Sequence, residues 1–203
     1  MAYRKVDDAS LTAVADAIRE RSGTTDPMAF PDGFVSAVAA IPGGIPEADM
    51  IAMIDRTITH IDVPYGCTII GWAAFRNSAL RTINFPDAVT TISAQAFYQC
   101  GGLGAIALPP NLRKIEGNAF QECRQLQISR IPASVETIDG WAFYACTGIT
   151  SLTFDGTPTS INAEAFLKCN NLAVINVPWS EGAVANAPWG APIATINYDY
   201  DGG

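Results

Sequence analysis

Two carboxylates, Glu116 and Asp139, stand four residues before Phe120 and Phe143, each ahead of an Ala-Phe dipeptide. Stacked at strand spacing they would lie about 5 Å apart, near the separation of a retaining glycosidase pair. The other residues in that place are Gly71, Ser93 and Asn162, and Gly117 and Gly140 follow the two acids. That composition belongs to a solvated turn and favours it over a catalytic pair. A second chemical group is the stretch AFYQC, which sets the thiol of Cys100 beside two aromatic rings. Five cysteines, at 67, 100, 123, 146 and 169, are an odd number with no C-x-x-C pair. A disulfide framework, a zinc ribbon and a thioredoxin-type motif therefore lack support. His60 is the single histidine, so sites needing several imidazoles in one chain are excluded. Between Ile58 and Ile61 it reads as a surface or edge residue rather than a base. Asp199 and Asp201 are too few for a convincing calcium site. No phosphate-binding G-x-x-x-x-G-K-S/T and no G-x-S-x-G elbow is present. No catalytic residue, metal or cofactor is expected.

The bulk properties narrow the partners. Of 203 residues, 49% are hydrophobic and 16% charged, which suits a folded chain with a sizeable core. The net charge of −8 and the absence of a Lys/Arg cluster disfavour nucleic acid and anionic membrane surfaces. No apolar run approaches the roughly 20 residues that span a bilayer, so no membrane insertion is expected. The opening MAYRKVDDASLTAV is too polar for a secretory segment. No signal-peptide export is expected, which leaves delivery inside a larger particle.

The elements that must position these groups form a repeat. The last four cysteines are spaced by 23, 23 and 23 residues. Ala-Phe recurs with them at Phe75, Phe97, Phe120, Phe143 and Phe166, and five residues earlier stand Ile70, Ile92, Ile115, Ile138 and Ile161. Proline closes most units, with Asp155 the exception. One unit reads V-x-x-I-x-x-x-A-F-x-x-C-x-x-L-x-x-I-x-I-P. A period of this length with apolar positions and a short strand signals a solenoid, because one unit cannot bury its own apolar side. I-x-I-P is a strand tail ended by proline, V-x-x-I a second extended segment, and A-F-x-x-C is predicted as one helical turn or a short helix. Cysteine is then one rung of a ladder. Ser78 fills the place in the first unit, so a small, weakly polar side chain is required rather than a thiolate. Repeat three has Ser129 where Ile is expected, which predicts local distortion or an inward turn of Ile128.

These units resemble the BspA-type leucine-rich repeats, whose hallmark is I-x-x-x-A-F-x-x-C followed by L-x-x-I-x-I-P. The resemblance covers about 120 residues and implies an α/β repeat solenoid used for binding or adhesion. Residues 10–41, with A-x-A-I-R and F-P-D-G-F, resemble an N-terminal module on tail or minor structural proteins of bacteriophages infecting Gram-positive bacteria. The ending, with A-P-W-G, resembles repeat proteins from the same source.

The predicted organisation is an N-terminal helical attachment module with its linker (1–45), a solenoid of five Ala-Phe units (46–178), and a capping segment (179–203). Leu11, Val14, Ala15 and Ile18 form a helical stripe. Two short helices make a marginal core, so docking on the solenoid, a partner or self-association must complete it. Residues 47–56 are a candidate third helix over the open N-terminal end. Residues 193–200 read as a strand, and Trp179 and Trp189 either cover the last repeat or, if exposed, stack on a sugar. The outward residue between the closing apolar positions gives a candidate binding row: Asp62, Asn84, Ala107, Arg130, Thr153 and Asn176. The expected function is non-enzymatic. A phage tail or baseplate component would contact a host-surface glycan or protein, or a neighbouring subunit, and would reside in the virion. The competing reading is an adhesion or interaction module at a bacterial surface. A carbohydrate-active enzyme, resting on the acid pair, is the remote one.

Overall fold

Proline at the end of a closing strand removes a donor, and the small residues before each Phe allow a tight bend, so each unit turns back on itself. The computed structural model describes residues 56–202, and these form a parallel β-solenoid. The strands are β1 (His60–Asp62), β2 (Ile69–Ile70), β3 (Thr82–Asn84), β4 (Thr91–Ile92), β5 (Lys114–Ile115), β6 (Arg130–Ile131), β7 (Thr137–Ile138), β8 (Ser151–Phe154), β9 (Ser160–Ile161), β10 (Val174–Asn176) and β11 (Thr195–Asn197). The V-x-x-I segments build the sheet β2-β4-β5-β7-β9. The I-x-I segments build a second wall in two pieces, β1-β3 and β6-β8-β10-β11. Every pairing is parallel and in step with the repeat, for example Ile92 with Ile115 and Ile115 with Ile138.

The core is a set of ladders. Phe75, Phe97, Phe120, Phe143 and Phe166 stack with centroids 5.3, 5.0, 5.3 and 5.2 Å apart and planes within 12° of parallel. The rings are offset neighbours at the spacing the strands impose. Ile, Leu and Cys ladders lie beside them, with Leu103, Leu112, Ile115, Leu126 and Cys123 fully buried. Asp155 also has a structural consequence. Its N–H donates to the Ile131 carbonyl at 2.9 Å, a bond proline could not make, and β8 is the longest strand.

The expected helical turn is not what forms. Among the described residues there is no helix, and A-F-x-x-C runs as consecutive turns. In the Phe97 unit the N–H groups of Ala96, Tyr98 and Cys100 bond back to Ser93, Gln95 and Phe97, three residues earlier. The intervening N–H groups of Gln95, Phe97 and Gln99 bond forward to Gly117, Ala119 and Gln121 of the next unit. A helix would keep all these donors inside the segment. Here every second donor points along the solenoid axis, and the stack satisfies it. The alternation requires left-handed residues at fixed places: Gln95 and Gln99, Asn118 and Glu122, Trp141 and Ala145 all have φ between 55° and 60°. The fold is therefore a parallel-strand β-solenoid with turns, not an α/β solenoid with helical turns. The predicted N-terminal helical module, residues 1–45, and all but Arg56 of the candidate helix over 47–56 lie outside the described residues.

Candidate functional site

The predicted binding row falls on the I-x-I wall. Asp62 pairs with Asn84 across β1 and β3, and Arg130, Thr153 and Asn176 pair across β6, β8 and β10. Asn197 on β11 extends the row by one rung. Ala107 lies outside every strand and interrupts it. The side chains are tied to one another. Asn84 donates its amide to Asp62 Oδ1 at 2.6 Å, Asn176 to Thr153 Oγ1 at 3.3 Å, and Asn197 to Asn176 Oδ1 at 2.8 Å. Arg130 grips Asp155 with two donors, Nε at 3.2 Å and Nη2 closer. The bond from Asn84, with His60 nearby, holds the Asp62 carboxyl below its ordinary range despite a smaller opposing effect of burial. His60 lies exposed on β1 with Nδ1 2.6 Å from Thr82 Oγ1 and Nε2 3.4 Å from Asp62. The row is an ordered polar surface whose residues point outward while Ile61, Ile83, Leu152 and Ile175 point inward.

The acid pair has a different occupation. Lys114 Nζ lies 3.4 Å from Glu116 and 4.0 Å from Asp139, and Glu116 Oε2 accepts the Ala94 N–H at 2.9 Å. A carboxylate holding a lysine and a backbone donor orders a turn. Asp199 accepts from Ser180 at 2.7 Å, and no cluster of three metal-binding side chains occurs among the described residues.

Trp189 is fully buried and Trp179 nearly so, 6.4 Å apart beside Phe154, and the Trp189 carbonyl accepts the Phe166 N–H at 2.9 Å. Neither ring is open for a sugar. The exposed aromatics among the described residues are Tyr65, Trp72, Trp141 and Tyr200, with Tyr98 and Tyr144 half-buried. Trp141 stands beside Tyr144 on the turn edge, Lys168 Nζ lies 5.1 Å over Tyr144, and Arg76 lies 4.9 Å over Tyr98. Sequence reasoning passed over this edge, although Tyr98 and Tyr144 share the place after Phe in the repeat.

The ladder cysteines are all free and buried. Each Sγ donates to the carbonyl of a phenylalanine in the preceding coil: Cys100 to Phe75 at 2.8 Å, Cys123 to Phe97 at 2.9 Å, Cys146 to Phe120 and Cys169 to Phe143 at 3.0 Å. Burial pushes each thiol up, Cys169 to about 12, which suppresses the thiolate.

Among the described residues no helix is long and apolar enough to cross a membrane. A comparison with curated proteins found no match. Among solved structures the chain is similar to a leucine-rich repeat protein from Bacteroides ovatus, with 32% identity and a TM-score of 0.52. The match covers 61% of this chain and 32% of that one, so this chain spans about a third of that protein's length. Residues 53–180 match the family model described as BspA type leucine rich repeat region, in 6 copies. With the repeat signature, the ladders and a match over more than half its length, the chain belongs to the BspA-type leucine-rich repeat family.

Proposed function

We propose that this chain is a non-enzymatic binding and structural protein of a phage tail or baseplate. The repeats contact a host-surface protein or glycan, or a neighbouring subunit, and the N-terminal residues attach to the particle. The observation that carries the binding half is the ordered outward row on the I-x-I wall, with its apolar alternates buried. A parallel stack repeats a surface at fixed spacing, and solenoids use such surfaces for partners. The attachment half is supported by the resemblance of residues 10–41 and of the A-P-W-G ending to phage structural proteins. Mass spectrometry of purified particles, followed by subunit placement by electron microscopy, tests it. The protein is expected at the tail tip; its absence from particles that otherwise carry every tail protein overturns the assignment. An adhesion or interaction module at a bacterial surface is the second reading, favoured by the similarity to the Bacteroides ovatus protein. Surface labelling of intact cells that make the protein from its own gene separates the two.

A further inference from the structure

The I-x-I wall has one missing rung. The residue after each leucine-like position donates its N–H across the stack: Arg81 to Thr59 at 2.8 Å, Gly104 to Arg81 at 2.9 Å, Gln127 to Gly104 at 3.2 Å and Ala173 to Thr150 at 2.9 Å. Thr150 makes no such bond. The carbonyl it would use, that of Gln127, accepts Ile106 N–H at 3.1 Å instead. The Phe97 and Phe120 units then share a single bridge, Ala105 with Gln127. Pairing of the Phe120 and Phe143 units begins only at Arg130 with Thr153. Between these points the N–H groups of Ala107, Ser129 and Thr150 and the carbonyls of Ile106 and Ile128 have no intramolecular partner among the described residues. The repeat pattern supplies the reason. Ser129 replaces the apolar residue that anchors a regular strand, Ile128 is buried in its stead, and Ser129 and Arg130 face out together.

The opening is a hollow of about 660 Å³ whose lining includes Ala105, Ala107, Ile128, Ser129, Gly148 and Thr150. Apart from Ile106, Gln127 and Ile128 its side chains are short, so the unpaired main chain of Ala107, Ser129 and Thr150 is approachable. No charged or aromatic residue lines it, which leaves nothing to neutralise an anion or stack on a sugar ring. Open donors and acceptors on strand-like backbone match one ligand chemistry above others, the main chain of another extended segment.

We propose that this hollow receives an extended peptide segment of a partner protein, whose carbonyls accept from Ala107, Ser129 and Thr150 and whose N–H groups donate to Ile106 and Ile128. The proposal rests on the reading of the I-x-I wall as the interaction surface and names what that surface recognises at its break.

The test uses the full chain and an immobilised array of random 12-residue peptides, with the best binders measured by calorimetry. Three proteins are compared with the parent: Ala105→Trp, Ala107→Trp, and the combined Asn84→Ala, Arg130→Ala and Asn176→Ala. Thermal melting verifies that each folds, and the two tryptophan variants serve as replicates of one blockade. Either tryptophan is expected to weaken the peptides at least about tenfold, and N-methylation of alternate peptide amides to do the same. The triple variant separates the hollow from the polar row beside it. Unchanged affinity in both folded tryptophan variants overturns the hollow, as does an array with no binder. Loss of affinity in the triple variant alone also overturns it while leaving the wall as the binding surface.

Discussion

At the residue scale, the ladder cysteine serves as a small core residue with a donor. Its S–H caps a phenylalanine carbonyl in the preceding coil that already accepts a turn N–H, as Phe97 O accepts from both Cys100 and Cys123. Two predictions belong here. Native Cys100, Cys123, Cys146 and Cys169 should resist alkylation until the chain unfolds, whereas the half-buried Cys67 should react first. Mass spectrometry after brief iodoacetamide treatment decides this, and rapid modification of Cys123 or Cys146 would contradict it. The second concerns pH. Burial raises the Cys169 thiol from 9.0 to about 12 and raises its three ladder neighbours as well. The unfolded chain therefore loses these protons first as pH climbs. The stability Cys169 contributes is whole below pH 9.0 and declines from there toward about 12, by up to about 1.4 kcal/mol per pH unit. Urea melts across that range should show the decline, and Cys169→Ser should flatten it.

At the scale of the element, the turn train depends on conformation more than on residue type. Ala145 has φ 55° and Ala142 three residues earlier is fully buried beside Phe143. An L-residue in the left-handed region costs roughly 1–2 kcal/mol, so Ala145→Gly should be neutral or stabilising. Ala142→Gly should destabilise by about 1 kcal/mol. Equal losses in chemical denaturation would contradict the alternating pattern of donors. Gly148 is constrained differently. A Cβ there would lie 2.5 Å from the Leu126 carbonyl and 2.8 Å from the Gln125 carbonyl carbon. Both are backbone and cannot rotate away, so Gly148→Ala should cost about 1–3 kcal/mol, the range for overpacking. The strand segments were legible in the sequence because apolar alternation and a closing proline announce them. The turns were not. Gln, Asn, Glu, Trp and Ala occupy the left-handed places, and none of the six cited carries the glycine that announces such a backbone.

For the whole molecule, the stack is closed at its C-terminal end by packing. Trp189 is fully buried, its ring N–H donates to the Ala185 carbonyl at 2.8 Å, and its carbonyl completes the Phe166 turn. Trp189→Ala should cost about 3–5 kcal/mol and lower the melting temperature of the repeats themselves, because solenoid stability passes from neighbour to neighbour. A variant that melts like the parent would show that the segment does not cap. Of the row, Asp62, Asn84, Arg130, Thr153 and Asn176 were legible as strand residues and Ala107 was not one; the structure adds that Asn84 binds Asp62 and Asn176 binds Thr153, while Arg130 turns to Asp155. The hollow was legible only as an irregularity at Ser129; its extent also depends on the Phe97 unit, where Ile106 gives its N–H to the far side.

The sequence by itself determined the period, the identity of each ladder and the side of every strand residue. A recurrence of 23 residues in a chain that must bury its apolar side admits only stacking in register. Only the tertiary structure decided whether A-F-x-x-C is helix or turn, which tryptophans are covered, and where the I-x-I wall opens. Those outcomes depend on which coil supplies the partner for each backbone donor. That choice is made between segments about 23 residues apart and leaves no local trace in the residues themselves.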